Sequence, residues 1–190
     1  MSSDNPTSAD NQQERHAEDT WMNAIPSDVG HYIAGFVDGE GSFNVPIRRS
    51  SDRSLPWRVG LSFNVSQIGS EQPRMLRSAF GAGTVRGRSD GVYYFEVTRP
   101  EELETRVFPF FERFPLRGPK LHDLAIFREI TSMVQQGAHL SVTGFTRVLE
   151  LRGPMNRGGK RRRTDDELVR ALPRHESSET IRKAPHEAGG

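Results

Sequence analysis

The feature that most constrains this chain is a strict alternation from Trp57 to Val65. Trp57, Val59, Leu61, Phe63 and Val65 fall on one side, while Arg58, Gly60, Ser62, Asn64 and the following Ser66 fall on the other. Successive side chains of a strand point to opposite faces, so the pattern demands a strand with one apolar and one polar face. An antiparallel sheet covered on one side supplies such faces. Just upstream, Phe43, Val45 and Ile47 alternate with Ser42, Asn44, Pro46 and Arg48. Proline cannot donate to a ladder, which predicts an edge position or a bulge at Pro46. A second pair, Thr84–Arg88 and Val92–Thr98, is joined through Ser89-Asp90-Gly91, a good hairpin turn. There Tyr93, Phe95 and Val97 oppose Tyr94, Glu96 and Thr98.

Around these strands the apolar spacing becomes helical. Pro26-Ser27-Asp28 starts a helix that runs to about Val37 or Asp38. Another covers about 72–80, closed by Gly81. A third opens at Pro100, reaches about Phe111 and is disturbed by Pro109. Leu121, Leu124, Phe127, Ile130 and Val134 mark a helix over 121–136, a further one spans about 142–152, and Thr164 to Glu167 spells a capping box for a last short helix. The order α-ββ-α-ββ-α, followed by extra helices, predicts an α+β fold with an antiparallel sheet. We expect one domain over 27–153, a basic segment with a short helix over 154–172, and disorder in the acidic leader 1–26 and the tail 173–190.

Charge and composition narrow the class. The net charge is only +1, yet residues 31–164 carry 21 Lys and Arg against 13 Asp and Glu, with acidic ends on either side. A basic centre of this kind suits a polyanion. Arginine dominates the cations, and its planar fork suits phosphates and base edges. There is no cysteine, which excludes disulfides and thiolate metal sites. No apolar run reaches membrane-spanning length, and the expectation is an intracellular protein of cytoplasm, nucleoid or organelle with no membrane partner.

One stretch resists a purely structural account. In HYIAGFVDGEGSF, His31 to Phe43, Gly35 and Gly39 lie four apart on a helix, and Glu40 sits where that helix meets a strand. Glycine inside a helix costs roughly 1 kcal/mol relative to alanine. A glycine stop explains Gly39 and Gly41, but neither Gly35 nor the placing of Glu40. Small residues on one face permit close approach of a second helix. A carboxylate beside the free carbonyls of a last helical turn offers oxygen ligands to a hard cation.

Residues 32–41, YIAGFVDGEG, resemble the signature motif of the LAGLIDADG homing endonucleases, and the αββαββα order agrees with that family's unit. The resemblance covers about 28–136 and extends more loosely to 152. Met155–Arg163, MNRGGKRRR, also resembles the C-terminal segment of some intron-encoded members. The resemblance implies a Mg²⁺-dependent, site-specific double-strand DNA endonuclease. Only one motif copy occurs, so it further implies a homodimer with Ala34, Gly35, Val37 and Asp38 at the interface and a long, near-palindromic target.

By the same resemblance Glu40 is the metal-binding acid, helped by the Gly39 carbonyl. Gln67 matches the water-positioning polar residue, although a solvent-exposed strand-end glutamine fits the residues equally well. Arg117 and Lys120 are both candidates for the cation at the cleavage centre; spacing does not settle which one serves, and Lys120 is preferred. Ser42, Asn44, Arg48, Arg58, Ser62, Asn64, Arg86, Arg88, Tyr94, Glu96 and Thr98 would line a saddle in the major groove, where arginine suits guanine, asparagine adenine, and glutamate cytosine. Arg74, Arg77 and Lys160–Arg163 would contact phosphates. The alternatives on the same scaffold are a splicing maturase with intron RNA as partner and a DNA-binding regulator that does not cut.

Overall fold

A computed structural model of the chain describes residues 21–51, 55–158 and 163–172. The first long helix, α1 (Ser27–Glu40), passes without a loop into β1 (Gly41–Asn44). Then come β2 (Ile47–Arg49), β3 (Trp57–Val59), β4 (Ser62–Ile68), α2 (Glu71–Phe80), β5 (Thr84–Gly87) and β6 (Val92–Val97). A continuous helical run follows, made of α3 (Pro100–Glu102), a π-helical turn (Leu103–Val107) and α4 (Phe108–Arg113). Next are α5 (Lys120–Gln135), a 3-10 turn (Ala138–Leu140), α6 (Val142–Arg152), a second 3-10 turn (Met155–Gly158) and α7 (Asp165–Arg170). The π turn has a local cause. Pro109 lacks the N–H that would bond back to Thr105, and the Phe108 N–H reaches Leu103 instead.

The main sheet is four-stranded and antiparallel, in the order β1-β4-β6-β5, and β2 and β3 form a separate pair. These are not independent. The pairs Ile47↔Val59 and Arg48↔Arg58 continue the register of Phe43↔Phe63 and Asn44↔Ser62. Between them the Gly60 N–H donates to the Pro46 carbonyl at 2.9 Å, and Pro46 has no N–H to return the bond. The expected break at Pro46 is therefore an interruption within one long hairpin.

One face of the sheet is covered by helices around a phenylalanine core. Phe43 and Phe63 stack at 5.0 Å, Phe80 and Phe110 approach to 4.6 Å, and Phe127 and Phe111 close over Phe43. Ten of the eleven phenylalanines are buried, and Phe36 is the exception. α1 buries Gly30, Ile33, Ala34 and Val37, the i, i+3, i+4, i+7 stripe of a helix on a core. Leu121, one of the residues whose spacing marked α5, is 50% exposed, and that helix buries Asp123, Phe127, Ile130 and Thr131.

The C-terminal segment is strapped beneath β1–β3. Arg152, buried, donates through Nη1 to the Val45 carbonyl (3.1 Å) and through Nε to Asp165 Oδ1 (3.2 Å). Trp57 Nε1 donates to the Leu168 carbonyl at 3.0 Å, and the capping box between Thr164 and Glu167 forms. Residues 21–26 depart from the expected disorder. Ile25 belongs to the core, the Arg106 guanidinium lies 4.9 Å from the Trp21 ring centroid, and Arg113 donates to Met22 O. The rest of the expected leader, most of the expected tail, and Lys160–Arg162 lie outside the described residues.

Candidate functional site

The candidate centre is built where α1 runs into β1. Expected to stop near Asp38, the helix continues to Glu40, and the Gly41 N–H bonds back to the Val37 carbonyl. Gly41 is extended rather than left-handed, so glycine is needed there for another reason. A Cβ would fall 2.6 Å from both Val37 Cγ1 and Val37 O. This tight joint leaves Glu40 exposed at a helix end whose last turn carries no basic residue. A carboxylate facing the negative end of the helix dipole loses about 0.3–1 kcal/mol, and a bound cation reverses that sign. Glu40 and the terminal carbonyls, Gly39 among them, are hard oxygen donors of the kind a divalent ion takes. Among the described residues no group of three or more His, Cys, Asp or Glu comes together.

The loop before α5 is tied to the same helix end. Asp38 Oδ2 accepts from the backbone N–H groups of Arg117 (2.7 Å) and Gly118 (3.0 Å). That brings exposed Arg117 and half-buried Lys120, the first residue of α5, to the end of α1. With His31, Ala34, Gly35 and Pro115, Asp38 and Arg117 line a recess of about 380 Å³ on the flank of α1. Gln67 enters through strand register. It lies two residues beyond the Gly41↔Val65 pair, on the strand beside the α1–β1 joint, opposite Tyr93 and on the core-facing side.

The outward face of α1 differs from the expected interface. Val37 is fully buried and Ala34 nearly so, because both belong to the stripe that packs on the core. Asp38 is occupied with its loop. The outward stripe holds exposed Tyr32 (53% exposed), Gly35 and Gly39 together with half-buried Phe36, which also touches the core, and Tyr32 and Phe36 stack in parallel at 6.3 Å. A Cβ at Gly35 or Gly39 would meet nothing within 4 Å. No packing neighbour in the chain requires glycine at these two positions.

The open face of the sheet carries the polar residues named from alternation. Ser42, Asn44, Asn64, Tyr94 and Glu96 are half-buried on it, Arg48, Arg58, Arg86, Arg88 and Thr98 are exposed, and Arg48 stands directly opposite Arg58. Ser62 is a correction. At 7% exposure it is covered by its neighbours, donating to Glu96 Oε1 at 2.8 Å and accepting from Asn64 Nδ2 at 3.0 Å. Arg88 bonds to the Tyr94 hydroxyl and bridges Asp90 at 2.9 Å; the Tyr94 bond first, then Asp90, push its pKa up. Two residues of the face escaped sequence reasoning. Ile68, 80% exposed, pairs with Val92 beside Gln67, and the alternation through Ser62, Asn64 and Ser66 already pointed to it. Asn156, which donates to the Phe43 carbonyl and contacts Asn44, left no local signal.

The described geometry agrees with comparison to known proteins. The LAGLIDADG endonuclease family profile matches residues 33–131, from within α1 to late α5. This chain belongs to the LAGLIDADG endonuclease family. A Neurospora crassa protein named "Probable intron-encoded endonuclease 3" is 28% identical over 130 residues, 66% of this chain and 24% of that protein. The crystal structure of the homing endonuclease I-TnaI superposes with TM-score 0.65 at 32% identity, over 75% of this chain and 94% of that one. The LAGLIDADG homing endonuclease I-LtrWI, solved bound to target DNA, gives TM-score 0.65 at 27% identity, over 73% of this chain and 47% of that one. This LAGLIDADG chain spans 24%, 32% and 43% of the lengths of three curated intron-encoded relatives. Among its described residues no helix is long and apolar enough to cross a membrane.

Proposed function

We propose that this chain acts as a site-specific double-strand DNA endonuclease, working as a homodimer with Mg²⁺. The observation that carries the reading is the outward stripe of α1. It is apolar at Tyr32 and Phe36, open at Gly35 and Gly39, and ends at an unpartnered acid. A second copy laid along that stripe brings its own Glu40 to the same place and completes a two-acid centre. Relatives that match this chain over about half their length, as I-LtrWI does, fit a duplicated unit, whereas I-TnaI matches over nearly all of it.

Each residue then has a task. Glu40 and the Gly39 carbonyl hold the divalent ion, which supplies charge stabilisation at the scissile phosphate when bound. Gln67, a neutral amide, orients the attacking water. Lys120, or Arg117 beside it, offsets charge developing on the phosphate. The polar sheet face reads base edges in the major groove. Facing arginines such as Arg48 and Arg58 repel each other in the free protein and are relieved by a polyanion.

The test starts from DNA selected by binding out of a randomised palindromic library. Incubation with Mg²⁺ should cut the selected DNA, and Glu40→Gln should lower the rate by about 10³-fold or more while binding persists. Selected DNA that both proteins bind and neither cuts would overturn the nuclease reading in favour of the regulator or maturase.

A further inference from the structure

We infer that Glu96, held by Ser62, makes this protein demand cytosine at one fixed position in each half-site; the inference rests on the DNA-binding reading above. Glu96 is the one acid among the described residues on the open sheet face, apart from Asp90 in the β5–β6 turn. On a surface turned to phosphates a carboxylate weakens binding, so its presence asks for a specific donor. Ser62 and Asn64 have already fixed its position. The Ser62 hydroxyl donates to Oε1 at 2.8 Å and is itself held by Asn64 Nδ2 at 3.0 Å, while Asn64 is the cross-strand partner of Glu96. A side chain ordered in advance loses less freedom on binding.

The surroundings supply the complement. Glu96 opens into a cavity of about 550 Å³ that Arg48, Arg58, Asn44 and Thr98 also line. Among the described residues neither arginine has a carboxylate within ion-pair distance, so Glu96 is not consumed by them. In the major groove cytosine offers the N4 amino donor, and its guanine partner offers O6 and N7 acceptors. An acceptor set beside two guanidinium donors matches that order along a C·G pair. Adenine also has an amino group, but its neighbouring N7 lone pair faces the carboxylate. Guanine and thymine present only acceptors at that height.

The experiment compares binding-selected sequence profiles of the wild type, Glu96→Gln and Glu96→Asp, all checked for unchanged Tm. Glu96→Gln can keep the bond from Ser62 through its amide oxygen while turning an NH₂ donor to the DNA. The expected result is a symmetric cytosine in the wild-type site that binds about 10–100-fold more tightly than its replacements. Glu96→Gln should lose that preference, shift to acceptor-bearing bases and bind random DNA more tightly than the wild type. Glu96→Asp, keeping the charge but one methylene shorter, should weaken the cytosine preference without the shift. Profiles that coincide at every position for wild type and Glu96→Gln overturn the inference while leaving DNA binding intact. Failure of the wild type to enrich any sequence overturns the DNA-binding reading and this inference with it.

Discussion

At the scale of single residues, the two acids of the α1 terminus do different work for a reason visible in their angular positions. Glu40 points to solvent at the joint, whereas Asp38 lies on the flank of α1 and accepts two backbone N–H groups from the loop before α5. That division separates the two candidate cations. Arg117 is anchored through its backbone, so its side chain is free to be lost without moving the loop. Lys120 begins α5 at the same corner. We expect Lys120→Ala to lower single-turnover cleavage by about 10²-fold with little change in affinity, and Arg117→Ala to lower it less. The reverse ranking, measured on the selected site, would reassign the role. Glu40 was legible in the sequence because a carboxylate at a helix end has no structural excuse. The task of Asp38 was not, because its partner lies 79 residues along the chain.

At the scale of elements, Gly35 and Gly39 of α1 and Gly41, the first residue of β1, stand in opposite surroundings. Gly41 makes the joint possible, since a Cβ there would overlap Val37. At Gly35 and Gly39 a Cβ would meet nothing within 4 Å. Gly41→Ala should therefore cost about 1–3 kcal/mol of stability, seen as a lower denaturation midpoint. Gly35→Leu should leave the monomer's thermal stability unchanged or raised, because leucine favours helix by up to about 1 kcal/mol. It should also shift the mass by light scattering from dimer to monomer and abolish cleavage. A Gly35→Leu protein that remains dimeric and active would remove the stripe from the interface. Spacing predicted a small-residue face, and the resemblance placed Ala34 and Val37 at the interface although the core takes both. A helix period alone orders residues around an axis; it does not say which side meets the sheet.

At the scale of the whole molecule, residues 31–164 carry 21 Lys and Arg against 13 Asp and Glu, and of these cations Arg48, Arg58, Arg86 and Arg88 stand exposed on the open sheet face. Affinity resting on phosphate contacts should fall about 10³-fold or more between roughly 50 and 200 mM salt. An affinity that barely responds to salt in filter binding would place recognition elsewhere than on this face. The sequence by itself determined the helix and strand order, the two faces of the sheet, the break at Pro46 and the acid at the end of α1, because each follows from local periodicity or from one residue's chemistry. Only the tertiary structure decided that the β1–β4 hairpin keeps its register through that break and that residues 21–26 pack on the core. It likewise decided that Arg152 and Trp57 strap α7 beneath the sheet, and that Ser62 is covered on the open face by holding Glu96. The strap under the sheet and the Ser62–Glu96 bond depend on contacts between residues from 34 to 111 positions apart, and local spacing carries no information about such partners.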